Sequence, residues 1–102
     1  MGKHRQTKAT AISKAVKLAV HERDGGICLN CGRAGLPEAH FIPRSAGGLG
    51  VEENVVTLCR ECHGLYDNSE QRHEIRWKLR KYLKSKYPNW DETKLYYKKY
   101  DF

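Results

Sequence analysis

Two Cys-x-x-Cys pairs, Cys28/Cys31 and Cys59/Cys62, are the residues of this chain whose types and spacing specify chemistry most directly. Two such knuckles, separated by residues 32–58, can meet and present four thiolates tetrahedrally to one zinc ion at about 2.3 Å each. A shell closed by four sulfurs leaves no position for water, so its role is structural. A redox role would need a single Cys-x-x-Cys opening a helix in a βαβ unit, and no such pattern is present. At 102 residues the chain allows one small domain with a limited core, for which a metal staple is apt.

Three further residues with chemistry, His40, Asn54 and His63, lie between and just after the knuckles. His40 sits in the run Glu38-Ala39-His40-Phe41-Ile42-Pro43-Arg44-Ser45-Ala46-Gly47-Gly48, Asn54 is five residues before Cys59, and His63 directly follows Cys62. With the paired cysteines, these residues resemble the HNH endonuclease family, specifically the small phage and prophage type that has two Cys-x-x-Cys knuckles around the active site. The likeness covers about residues 20–67. It implies a small ββα-metal core and a metal-dependent endonuclease that nicks or cuts DNA. Hydrolysis of a phosphodiester needs a base to deprotonate water and a divalent cation to neutralise charge on the transition state.

By that resemblance His40 is the general base and His63 ligates the cation, while Asn54 either ligates it or holds the catalytic loop. Mg²⁺ is the expected ion, and a histidine ligand would also accept Mn²⁺ or Ni²⁺. Arg44 is a candidate phosphate clamp, because a guanidinium can bind phosphate in bidentate fashion. Ser45 is a weaker candidate. The chain departs from the family at Ala39, where the family has Asp or His as a metal ligand. Two residues could replace that ligand: Asp67, one helical turn beyond His63, or Glu38, on the same side of a strand as His40. The resemblance further implies a phage-encoded protein linked to DNA packaging and terminase proteins, acting in the host cytoplasm.

Charge fits a polyanionic partner. The formal net charge is +7, divided as +5 over residues 1–23, −3 over 24–67 and +5 over 68–102. Two basic helical arms thus flank an acidic zinc and metal core within one domain spanning residues 1–102. No apolar stretch suits a membrane span, and no apolar segment follows the basic N-terminus as in a secretory signal. The chain therefore reads as intracellular, which favours metal over disulfide for its cysteines.

The elements that must position these residues are legible in outline. An amphipathic helix is predicted over 10–23, stopped by Asp24-Gly25-Gly26, with Ile12, Ala15, Val16, Ala19 and Val20 as its apolar face. Strands are predicted at 38–42 and 55–58, around a glycine-rich loop in which Gly47, Gly48 and Gly50 either admit DNA closely or make turns with positive φ. A helix from Asn68 or Ser69 to Pro88 carries Arg72, Arg76, Arg80 and Lys84 on one ridge that could follow a phosphate backbone. A short helix capped by Asp91 follows, with Leu95, Tyr96 and Tyr97 available for packing. His4, His21 and His73 are expected at the surface, and Trp77, Trp90 and the tyrosines mainly in packing. The fold class is α+β. Two other functions compete: a zinc-stapled nucleic-acid-binding module that has lost catalysis at Ala39, and a zinc-ribbon protein adaptor.

Overall fold

The computed structural model describes residues 7–97. His4, named above, lies outside them, as do Lys98 and Lys99, which the sequence places exposed after the last short helix, and Tyr100, one of the tyrosines expected in packing. The fold is α+β: helix α1 (Lys14–Asp24), an antiparallel hairpin of β1 (Leu36–His40) and β2 (Val55–Leu58), then helices α2 (Arg60–Asn68) and α3 (Arg72–Lys86). Single 3₁₀ turns occupy Arg44–Ala46 and Glu92–Lys94.

Helix α1 starts later than its periodicity predicts, because the Ser13 hydroxyl accepts from the Val16 amide and caps it there. Residues 7–10 form a separate helical turn, and Ala15 is exposed while Val20 is fully buried. The first strand lies two residues earlier than 38–42. Its pairing ends at His40↔Val55, after which the Phe41 amide donates to the Asn54 carbonyl and Phe41 and Ile42 turn into the core. All four residues of β2 are buried, since α1 packs against both strands and α2 against β2. Such a strand needs apolar side chains on both faces, which Val55, Val56 and Leu58 supply.

The helix expected from Asn68 or Ser69 begins later, at Arg72, because α2 runs on to Asn68. Ser69 does not begin α3 but closes α2: its amide and hydroxyl both donate to the Leu65 carbonyl, while its oxygen accepts from the Gln71 amide. The 69–71 break turns α3 back across α2, and Ile75, Leu79 and Leu83 bury its apolar stripe against Phe41, Ile42, Val56, Leu58 and Tyr66. Asp91 caps the last turn as expected, accepting from the Thr93 amide, although that turn is 3₁₀.

A buried ion pair joins α1 to this core. Asp24 accepts from Arg23 at 2.7 and 3.0 Å, from the Thr57 amide at 3.1 Å, and from the Tyr82 hydroxyl. Arg23 also donates to the carbonyls of Glu52 and Val55 and to the Tyr87 hydroxyl. Burial pushes the Asp24 carboxyl up, but its hydrogen bonds from Arg23, Tyr82 and Thr57 outweigh that and hold it below the ordinary carboxylate range. One change here, Asp24→Asn, would leave Arg23 buried without its counter-charge, at a cost of about 3–5 kcal/mol.

Candidate functional site

The four cysteines converge as their spacing predicts, with their sulfurs all within 4.8 Å of one another. Cys31 Sγ and Cys59 Sγ are 3.7 Å apart. Tetrahedral bonds of about 2.3 Å put ligand sulfurs about 3.8 Å apart, so the cluster has the size zinc requires. Each knuckle turns an amide onto its own first sulfur: Cys31 N donates to Cys28 Sγ at 3.5 Å and Cys62 N to Cys59 Sγ at 3.4 Å. Asn30 Nδ2 donates to Cys62 Sγ at 3.3 Å and is itself fixed by Lys78 from α3. Burial pushes the Cys28 thiol up, yet the Cys31, Cys59 and Asn30 amides bring it down to about 6; burial drives Cys62 up to about 12. A cation that displaces the remaining protons would relieve this unequal sharing.

A cleft of about 670 Å³, with no cysteine in its lining, is the second place where residues with chemistry gather. His40 enters it from the end of β1, Arg44 and Ser45 from the following 3₁₀ turn, His63, Tyr66 and Asp67 from α2, and Arg72, His73 and Arg76 from α3. His63 Nε2 is 3.4 Å from Asp67 Oδ2, the neighbourhood expected for residues one turn apart on a helix. Tyr66, on the same helix, donates to the Phe41 carbonyl at 2.6 Å and so ties α2 to the loop after His40.

His40 is half buried, with Nε2 2.7 Å from the Thr10 carbonyl. A carbonyl only accepts, so Nε2 carries the proton and Nδ1 holds the lone pair in the neutral ring. Burial lowers the affinity of this imidazole for a second proton; the Thr10 carbonyl opposes that, and the Arg44 and His63 charges reinforce it, for a net downward shift from 6.5. The ring is therefore neutral and basic at physiological pH.

Asn54 lies outside the cleft. It is fully buried, accepts from the Ile42 amide at 2.8 Å, and donates to the carbonyls of Ile42 at 3.2 Å and Leu49 at 2.8 Å. Its oxygen and both of its N–H groups are engaged, so of the two alternatives the metal-ligand role is set aside and the loop-holding geometry is observed. The glycines of that loop serve the same end. A Cβ on Gly48 would fall 1.7 Å from the Ile42 carbonyl oxygen, and one on Gly50 2.0 Å from that of Ala11, so both glycines admit the chain's own backbone, not DNA.

Two expectations for charged residues need correction. Glu38 is exposed and paired with Lys17 at 3.6 Å, outside the cleft, so it does not substitute for the missing ligand; Ala39 is 1% exposed, in the core opposite Val56. Asp67 is the carboxylate that reaches the cleft. The arginine ridge is not one track. Arg72 and Arg76 face the cleft, but Arg80 is committed to Glu92 at 2.8 and 3.2 Å, and Lys84 borders a different depression beside Trp90 and Lys94. Arg76 also reaches Glu92 at 3.4 Å, and both guanidiniums lie over the Phe41 ring.

His73 and Thr10 are the residues that pattern reasoning missed. His73 reads from sequence as a surface histidine, and it is exposed, but the break at Ser69–Gln71 turns the first turn of α3 toward the cleft. Thr10 acts through its carbonyl, a group that every residue has, so no side-chain motif could mark it.

Residues 28–69 match the family described as HNH endonuclease. The chain is also similar to the type IV methyl-directed restriction enzyme EcoKMcrA of Escherichia coli strain K12, with 33% identity over 70 residues that cover 59% of this chain. It spans about a quarter of that relative's length. The clustered cysteines, the hairpin with its following helix and the matched segment agree: over residues 28–69 the chain carries the HNH endonuclease motif.

Proposed function

We propose that the chain is a metal-dependent DNA endonuclease working in the His40 cleft. The observation that carries this reading is the convergence of a base, a nitrogen–carboxylate pair and three arginines in one open cavity. His63 and Asp67 offer the mixed N/O donor set that Mg²⁺, Mn²⁺ or Ni²⁺ accepts, and such a cation would supply charge neutralisation at the scissile phosphate and leaving oxygen. His40 Nδ1 takes the proton from the attacking water, while the Thr10 carbonyl holds the Nε2 proton and steadies the imidazolium that results. Arg44, Arg72 and Arg76 bind the phosphates on either side, and Asn54 keeps the His40–Gly50 loop in shape from within the core. A zinc ion held by Cys28, Cys31, Cys59 and Cys62 would tie the Cys28/Cys31 turn to the junction of β2 and α2, and residues 1–102 act as one unit. From the resemblance we extend the proposal to a phage-encoded enzyme of the host cytoplasm that works beside terminase-type packaging proteins.

Supercoiled-plasmid cleavage by the zinc-loaded protein and by His40→Ala, with EDTA, Mg²⁺, Mn²⁺ or Ni²⁺, tests this reading. Metal-dependent cleavage that is lost in the variant supports it. A second reading, binding without cleavage, is favoured by Ala39: its core position leaves two side-chain donors, His63 and Asp67, where the family resemblance implies a third. Salt-sensitive DNA binding with no cleavage under any of these metals would replace the first reading with the second.

A further inference from the structure

Residues 7–11, which precede the matched segment, reach the cleft through four contacts. The Thr10 carbonyl takes the His40 Nε2 proton at 2.7 Å; the Thr10 hydroxyl accepts from Arg44 Nε at 3.0 Å; the Thr7 carbonyl accepts from Arg44 Nη2 at 3.3 Å; and the Ala9 carbonyl accepts from the Gly50 amide at 3.0 Å. Thr10 is 2% exposed, so this is a packed seat. Gly50 is what allows it, because any β-carbon there would collide with the Ala11 carbonyl.

We infer that residues 7–11 are a positioning strap: they select the Nε2–H tautomer of His40 and aim the Arg44 guanidinium, and Gly50 is the socket that seats them. This rests on the nuclease reading above for its consequence, though not for its geometry. A neutral imidazole with nothing on Nε2 can place its proton on either nitrogen, and the Nδ1–H form has no lone pair where the reading above requires one. Arg44 carries five N–H groups and the strap engages two, which fixes the plane of the fork while leaving the rest for phosphate. Among the described residues, the hydrogen-bond partners of His40 Nε2 and of the Arg44 guanidinium lie in the strap and not in the matched segment, so the segment depends on the strap for an oriented base.

The test uses the full chain with zinc bound. The imidazoles are labelled with ¹⁵N, and the His40 signals are identified by their loss in His40→Ala. The expected wild-type spectrum shows the Nε2–H tautomer at neutral pH. Gly50→Ala should give a mixture of tautomers, and kcat on a short duplex should fall about 10²-fold with KM nearly unchanged, the size of a general-base contribution. Thr10→Val, which removes the hydroxyl that accepts from Arg44 and donates to the Thr7 carbonyl, should lower kcat about tenfold, and Thr10→Ser should restore it. A wild-type Nδ1–H tautomer would overturn the inference. So would a Gly50→Ala protein that keeps the wild-type tautomer, whether its kcat is unchanged or only KM rises. Should Gly50→Ala lose zinc or fail to fold, the threonine pair decides: equal rates for Val and Ser variants overturn the strap, and loss with rescue sustains it. If the wild type cuts nothing, the nuclease reading fails, and the spectra alone decide whether residues 7–11 set the tautomer.

Discussion

The cysteine cluster and the histidine cleft share α2, which gives Cys62 to one and His63 to the other, yet they are built in opposite ways. The cluster takes its ligands from two tight turns, each orienting its own sulfur through a local amide, with Asn30 of the first turn reaching across to Cys62 of the second. The cleft draws on residue 10, the end of β1, the loop at 44, α2 and the first turn of α3. A closed structural site is satisfied by geometry that a short motif carries within itself. An open catalytic site leaves part of its shell for substrate, so supports elsewhere in the fold must hold its groups in place.

The sharpest way to break the contrast is to remove each site in turn. Chelating the zinc, or replacing Cys62 with Ser, is expected to unfold the hairpin and its helices and abolish cleavage, a loss on the scale of the whole folding free energy; far-UV circular dichroism and melting curves would show it. Asp67→Ala should instead leave zinc content and melting unaltered while cleavage at fixed Mg²⁺ falls about 10- to 100-fold, and Glu38→Ala should leave cleavage intact. If Asp67→Ala lowered the melting temperature as much as the cysteine change, the separation of the two sites would be wrong.

Within the cleft, the downward-shifted His40 predicts the pH profile. The base is competent only when unprotonated, so kcat/KM should rise with pH through a midpoint below 6.5, whereas a solvated histidine would place that limb at the ordinary value. A smaller difference separates the two ends of the arginine ridge. Arg72→Ala should weaken duplex binding and reduce the salt slope by about one, while Arg80→Ala, which removes a partner of Glu92, should leave the slope alone and cost about 0.2–1 kcal/mol of stability. Equal salt slopes for the two variants would restore a continuous ridge.

The cysteine site was legible in full, because four residues of one type at fixed spacing admit few arrangements. The cleft was legible in part. His40 and His63 stood out through their registry with the cysteines, and Asn54 was marked while its role stayed divided between ligand and brace until its three hydrogen bonds were seen. The helical period of Arg72, Arg76, Arg80 and Lys84 shows that they share a ridge. It does not show that Glu92, sixteen residues from Arg76, closes on the middle of it. Alternation along a strand placed Glu38 beside His40, but the irregular pairing between Leu36 and Ala39 and the attraction of Lys17 hold it elsewhere. His73 depended on a helix break at Ser69, where a polar run suited an N-cap and a C-cap equally well.

The Arg23–Asp24 pair also bears on the order in which the molecule forms. Its partners include Thr57, Tyr82 and Tyr87, so the contacts that seat α1 span 33, 58 and 64 positions along the chain. Closing such long loops costs entropy that is repaid only when the distant segment arrives, whereas the hairpin and the cysteine cluster, whose Cys31 and Cys59 are 28 positions apart, close without any residue of α3. During synthesis the metal-stapled half can therefore assemble while α3 is still within the ribosome. Helix α1, and with it the segment that touches His40, settles only after Tyr87 has emerged. The His40 cleft is thus completed last, when nearly the whole described chain is free to fold.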